Sequence, residues 1–217
     1  QIELKGSDPA ATLIVGRSSG RKASFVRKPG SAQSLLASPQ VLADPDPKNW
    51  LQRPIIDVAA ERMQAAHVSL GKIAYVLSRK DRAHGSFTLA LAPKGKVLAS
   101  DTAGDVIGAA LTGLELEDVK AFDAAQWKSA ADHAEFRTFD GWVVGVDGLV
   151  DGDKRWIHLA SRYDEALAKS FPAPAADPKA TPVDHGKDAA ALGARVAPWA
   201  FEVPKYKYDT LFKPLDE

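Results

Sequence analysis

The residues of this chain that could do chemistry are few and scattered. Gly16-Arg-Ser18-Ser-Gly20 fits the G-x-S-x-G spacing of a nucleophile elbow, where a sharp strand-to-helix turn thrusts the serine outward. Here a strand-like segment, KASFVRK, follows instead of a helix, and Gly and Ser are also the residues of a hairpin loop, so the loop is favoured. The same stretch fails as a phosphate-binding loop, because Arg21 stands where a second glycine is required. Asp147, Asp151 and Asp153 have the look of calcium ligands, but Leu149 fills a ligand position and His158 replaces the late bidentate glutamate. They read better as turn-formers and solubilising charges. His67, His84, His133, His158 and His185 contain no H-x-H or H-x-x-x-H pair, so neither a metal site nor another cofactor is expected. Glu115/Glu117 and Asp216/Glu217 read as solvated faces or helix ends, and an acid–base pair would have to be assembled by the fold. No catalytic residue is assigned, and the expectation is a protein that is not an enzyme.

Other side chains suggest binding. Arg17, Arg21, Lys22, Arg27 and Lys28 make an acid-free basic hairpin that could meet lipid headgroups or another anionic surface. The plainer reading, which the sequence favours, is a hairpin whose charged edges discourage strand-to-strand aggregation. Of the five tryptophans most are expected as core anchors, with one or two free to line a groove. The 28 basic and 28 acidic residues cancel, whereas nucleic-acid binding usually shows a basic excess, so no nucleic-acid partner is expected. The absence of cysteine excludes disulfides, thiol catalysis and thiolate metal sites. No apolar run approaches the roughly 20 residues of a membrane-spanning helix. A start at Gln1 and an end at Glu217 inside a helical pattern give the expectation of a piece of a longer protein.

The elements that must position these residues are mainly hairpins. From Phe136 to Ala160, alternation of Trp142, Val144 and Val146 with Val143 and Gly145, the turn dipeptide Asp151-Gly152, and resumption at Trp156 predict a long β-hairpin. A weaker copy runs from Gly71 to Ala90. Each is followed by a helical stretch and a similar tripeptide, Ala121-Phe122-Asp123 and Ala200-Phe201-Glu202, which suggests a diverged duplication. Helices are predicted over Asp101–Gly113, Asp188–Val196 and Tyr206–Leu215, the last strained or kinked at Pro214. Ala11–Val15 and Ala23–Arg27 form a further hairpin, and the Pro-rich 173–182 an exposed, mobile loop. The expected fold is α+β, with antiparallel hairpins, helices packed on one face and two diverged repeat modules. Its parts are an N-terminal hairpin region (1–60) completing the first module, a first hairpin-helix-strand module (61–128) and a second (129–217) with a Pro-rich insert at 171–186.

Four segments in order resemble the DUF4340 family. They are LIVG with the following SFVRKPG; NWLQRPIIDV, carrying Trp50, Arg53 and Asp57; TFDGWVV, carrying Phe139, Asp140 and Gly141; and WAFEVPKYKY, carrying Trp199, Pro204 and Tyr206. The likeness spans essentially the whole chain and departs from the family pattern at the Pro-rich insert and at Pro214. It implies a bacterial, periplasmic-side protein tethered to the inner membrane by a helix outside this piece. Its partners would be subunits of an ABC-type transporter or envelope complex. No catalytic residues come with the resemblance, and its motif residues have plain structural readings. A binding module for a lipid, glycan or peptide, with a deep aromatic-lined pocket between modules, is the alternative expectation, and a hydrolase the least favoured.

Overall fold

The computed structural model describes residues 2–4, 11–20, 22–41, 46–82, 85–100, 102–171 and 183–216. The chain is mixed α and β with large antiparallel sheets, and it divides into two compact units, Gln1–Leu51 and Gln52–Glu217. Asp101, where the first predicted helix begins, His84, Arg21 and the Pro-rich loop lie outside the described residues.

The first unit is a four-stranded antiparallel sheet in chain order, formed by β1 (Ile2–Leu4), β2 (Ala11–Ser19), β3 (Ala23–Arg27) and β4 (Leu35–Ala37). The β2–β3 hairpin turns at Gly20, whose φ of +67° suits a residue without a Cβ. Alternation puts Ser24 and Val26 on the buried face and Phe25 and Arg27 outside. A short helical turn, Pro47–Trp50, comes next, opened by the Asp46 carboxylate, which accepts from the Lys48 amide at 2.9 Å.

The second unit is built on an eight-stranded antiparallel sheet. Two short strands, β5 (Pro54–Ile56) and β9 (Leu114–Glu115), pair beside it. The sheet strands are β6 (Met63–Leu70), β7 (Ile73–Ser78), β8 (Thr88–Leu91), β10 (Asp118–Ala121), β11 (Asp132–Thr138), β12 (Trp142–Asp151), β13 (Lys154–Tyr163) and β14 (Trp199–Glu202). Their order is β10-β14-β13-β12-β11-β6-β7-β8. Among the described residues four α-helices accompany them: α1 (Ala103–Gly108), α2 (Glu165–Lys169), α3 (His185–Val196) and α4 (Lys205–Leu211).

One face of this sheet is covered. A Cβ on Gly148 of β12 would lie 2.6 Å from Phe212 and from the Tyr208 hydroxyl, and one on Gly193 of α3 would lie 3.0 Å from the Ser161 carbonyl. Val144 pairs with Ser161 and Gly148 with Ile157, so α3 and α4 rest on the same face, and α1 packs against α4. Phe136, Leu159, Ile157, Tyr75 and Leu77 are buried there, each worth about 1.5–3 kcal/mol of apolar burial. Tyr75 also spans to the chain end, its hydroxyl donating to the Lys213 carbonyl, and burial pushes its phenol pKa up.

Three sequence expectations need revision. The helix predicted to reach Gly113 stops at Gly108 and gives way to turns. The groups it would have used internally bond elsewhere. The Val58 amide donates to the Leu111 carbonyl, Thr112 Oγ1 to the Val58 carbonyl, and the Gly113 amide to Asp57 Oδ1 at 2.8 Å. Val106 is exposed, and Asp105 receives the Phe87 amide. The last helix ends at Leu211 before it can reach Pro214, rather than kinking there. Among the tryptophans only Trp127 and Trp156 are buried. Trp142 is half-buried, while Trp50 and Trp199 are 60% and 43% exposed.

Candidate functional site

The opposite face of the eight-stranded sheet holds the most concentrated set of functional side chains. Directly opposed residues of antiparallel strands share a face. Two such rows cross β6, β11, β12 and β13. The first is His67, Glu135, Gly145 and Ala160, and the second is Ser69, His133, Asp147 and His158. Small residues at Gly145, Ala160 and Ala74 leave the middle low, and a trough of about 500 Å³ runs there between the imidazoles and carboxylates.

Charge in the trough is organised in pairs. His133 Nδ1 lies 2.7 Å from Asp147 Oδ1, and His158 Nδ1 lies 3.9 Å from Oδ2 of the same carboxylate. The two imidazoles, His158 foremost, hold the Asp147 carboxyl below the usual carboxylate range. His158 is itself fixed, with Nε2 donating to the Ala197 carbonyl at 3.1 Å and its ring stacked on Phe122 at 3.7 Å. Glu135 takes hydrogen bonds from Arg137 at 2.7 Å and Arg162 at 3.3 Å; burial alone would raise its pKa, but these cations bring it below the ordinary range. Burial, and then the Arg137 charge, lower the pKa of His67.

Asp147 is therefore a strand residue that orients an imidazole, a correction to its expected place among turn-formers; Asp151 likewise ends β12, paired with Lys154, and of the three only Asp153 lies in the two-residue loop. Ser69, His133 and Asp147 stand in the order of a nucleophile, base and orienter. Among the described residues, however, no hydrogen bond joins Ser69 to His133, and His133 is exposed. Ser18 lies within β2, paired with Ser24, and its hydroxyl accepts from Gln40; this is a strand position and not an elbow. No group of three or more His, Cys, Asp or Glu among the described residues could hold a metal ion. What the trough offers is hydrogen-bond donors and acceptors of both signs on a rigid, half-open floor.

Three of the motif residues, Phe139, Asp140 and Gly141, lie elsewhere, at the β11–β12 corner. Arg62 clamps Asp140 with two bonds, Nε to Oδ2 at 2.8 Å and Nη2 to Oδ1 at 3.1 Å, and its guanidinium lies 5.3 Å from the Trp142 ring. Thr138 Oγ1 donates to Asp140 and accepts from the Trp142 amide. Burial alone would raise the Asp140 pKa, yet the Arg62 and Thr138 hydrogen bonds carry it below the usual range. Gly141 has a φ of +85°, and a Cβ there would come within 2.5 Å of the Asp164 carbonyl. Phe139 is buried edge-on to Phe171 and beneath the guanidinium groups of Arg79 and Arg82. Arg79 also donates to the Ala60 and Met63 carbonyls; nothing in its sequence surroundings singled it out.

The other motif positions are dispersed. Trp50 belongs to the helical turn of the first unit and Arg53 to the second unit, where it bonds the Leu116 carbonyl and Glu115. Pro204 caps α4 just after β14, with Trp199 and Tyr206 exposed on either side. Arg17, Lys22, Arg27 and Lys28 are all exposed in the first unit. Sequence reasoning missed the trough. The available signal was period-two polarity, His133-x-Glu135-x-Arg137 and His158-x-Ala160-x-Arg162, which places a polar row on one face of each strand.

No protein-family model, curated protein or solved structure matches this chain.

Proposed function

We propose that this chain is a non-enzymatic binding and assembly module, the extracytoplasmic part of a membrane-anchored protein of the DUF4340 type. In this reading it supports assembly or substrate handling of an ABC-type transporter or envelope complex. The observation that carries the binding part is the asymmetry of the eight-stranded sheet. One face is packed by α3 and α4, and the other keeps a trough lined by His67, Ser69, His133, Glu135 and Asp147. Such a rigid face with paired charges suits a polar protein surface or an extended segment laid across the strands. A duplicated origin belongs to the same reading, supported by the run β8-β7-β6-β11-β12-β13 within the sheet, which is symmetric about the β6–β11 pair.

The test is purification of the membrane-anchored parent from its native membranes, with cross-linking and mass spectrometry. Ala74→Arg and Ala160→Arg would fill the trough from two exposed positions without touching the core. Transporter or envelope subunits should co-purify with the wild type and be lost from both variants at unchanged melting temperature. Isolation of the parent alone, or retention of partners by both variants, overturns the reading. A small-ligand module is the second reading, favoured by the trough volume of about 500 Å³. It predicts that a lipid, glycan or peptide binds the isolated chain and that the same two variants abolish this.

A further inference from the structure

The first unit presents a surface of different character, which the proposal above does not use. From Ala11 to Val41 the sequence has five basic residues and no acidic one, in a chain whose total charge is zero. The fold puts part of this charge around exposed apolar side chains. Phe25 of β3 is 36% exposed and pairs directly with Leu36 of β4, which is 59% exposed. Arg27, two residues from Phe25 along the strand, shares its face, and the Arg17 guanidinium lies 5.7 Å from the Phe25 ring centroid. Lys22 and Lys28 are exposed at the two ends of β3.

An edge-protecting role would need only charge along the outer strands. It would not place a phenylalanine and a leucine side by side in solvent, between arginines. Cations around a small apolar patch match a surface that is anionic outside and apolar beneath. We infer that the outer face of the β2–β3–β4 sheet docks on an anionic lipid bilayer, with Arg17, Lys22, Arg27 and Lys28 over the headgroups and Phe25 and Leu36 at the acyl boundary. The neutral total charge disfavours a nucleic acid, which would draw on a basic excess over the whole protein.

The experiment is flotation of the full chain with vesicles of phosphatidylcholine alone and of phosphatidylcholine with phosphatidylglycerol, at low and high salt. Binding should be confined to the anionic vesicles and fall with salt. The triple variant Arg17→Glu, Arg27→Glu, Lys28→Glu should lose about tenfold or more of it, since each basic side chain near such a surface adds to the attraction. Arg17→Lys with Arg27→Lys should keep it, which separates lost charge from lost folding. Phe25→Ser with Leu36→Ser should weaken binding several-fold while leaving the salt dependence unchanged, a result bare charge attraction would not give. Equal binding to neutral and anionic vesicles, no binding to either, or capture by heparin without vesicle binding each overturns the inference. None of these results bears on the trough of the second unit, whose variants are read by co-purification.

Discussion

The two three-stranded meanders of the second unit, β6–β8 and β11–β13, are set out alike and held very differently. In the second, β12 and β13 pair over ten positions, from Trp142 with Tyr163 to Asp151 with Lys154. In the first, β7 and β8 pair at three positions, with an irregularity between Val76 and Leu77. The connections explain this. A loop of only Gly152 and Asp153, with Gly152 at φ +57°, has the glycine-first pattern of a II′ turn, which fixes register from the first pair. Nine residues separate Ser78 from Thr88, and a loop of that length imposes no register. The later strands are also placed differently. β14 adds to its own hairpin beside β13, whereas β10 leaves its meander and pairs with β14 at the far end of the sheet. β8 is thereby left as an edge, with Leu91 62% exposed. Similar local patterns can thus have opposite structural weight, depending on what the next segment covers.

The contrast can be broken hardest at the entrance to β12. Gly141→Val combines a left-handed backbone with a clash against the Asp164 carbonyl, and should cost about 3 kcal/mol or more in urea unfolding. Next comes the clamp tying β12 to the start of β6. Asp140→Ala leaves the Arg62 guanidinium half-buried and unpaired, a loss of roughly 2–3 kcal/mol. Because the folded pKa of Asp140 is depressed, its stabilisation is complete above the unfolded pKa of about 3.9 and is lost as pH falls through the folded value. Asp140→Asn should therefore lower stability at neutral pH and flatten the acid limb of the stability profile.

A smaller effect distinguishes the two turns. Gly152→Ala and Gly85→Ala each place a Cβ at positive φ with nothing nearby, so each should cost about 1 kcal/mol. Only the first should loosen hydrogen-exchange protection along β12 and β13, because Gly152 sets their register. The smallest expected effect belongs to His67. Its folded pKa is lowered, so the unfolded chain takes up the proton first and stability declines as pH falls below about 6.5. His67→Gln should remove that slope, seen as a flatter melting temperature between neutral and mildly acidic pH.

Local rules carried far in this sequence. The strands of the β12–β13 hairpin, the β2–β3 hairpin and the body of α3 stand where alternation and helical spacing put them, while the β12–β13 loop falls one residue later than expected, at Gly152 and Asp153. These features are set by neighbours in sequence, and the structure keeps them. Where α1 ends was illegible, because the Val58 amide takes the Leu111 carbonyl and the Asp57 carboxylate takes the Gly113 amide from far away along the chain. The fate of the tripeptides at 121 and 200 was equally hidden: their likeness suggests equivalent strand ends, and β10 and β14 turn out to be direct neighbours.

By itself, then, the sequence determined the hairpins, the mixed α and β class, and the acid-free basic charge of the 11–41 stretch, since each depends on side-chain period or composition. Tertiary structure alone decided the trough. His67 on β6 lies far along the chain from His133, Asp147 and Ala160, which the consecutive strands β11, β12 and β13 carry, and the register of all four strands aligns them. A one-residue slip in any pair would send that strand's polar row to the packed face, so this site exists only as a property of the assembled sheet.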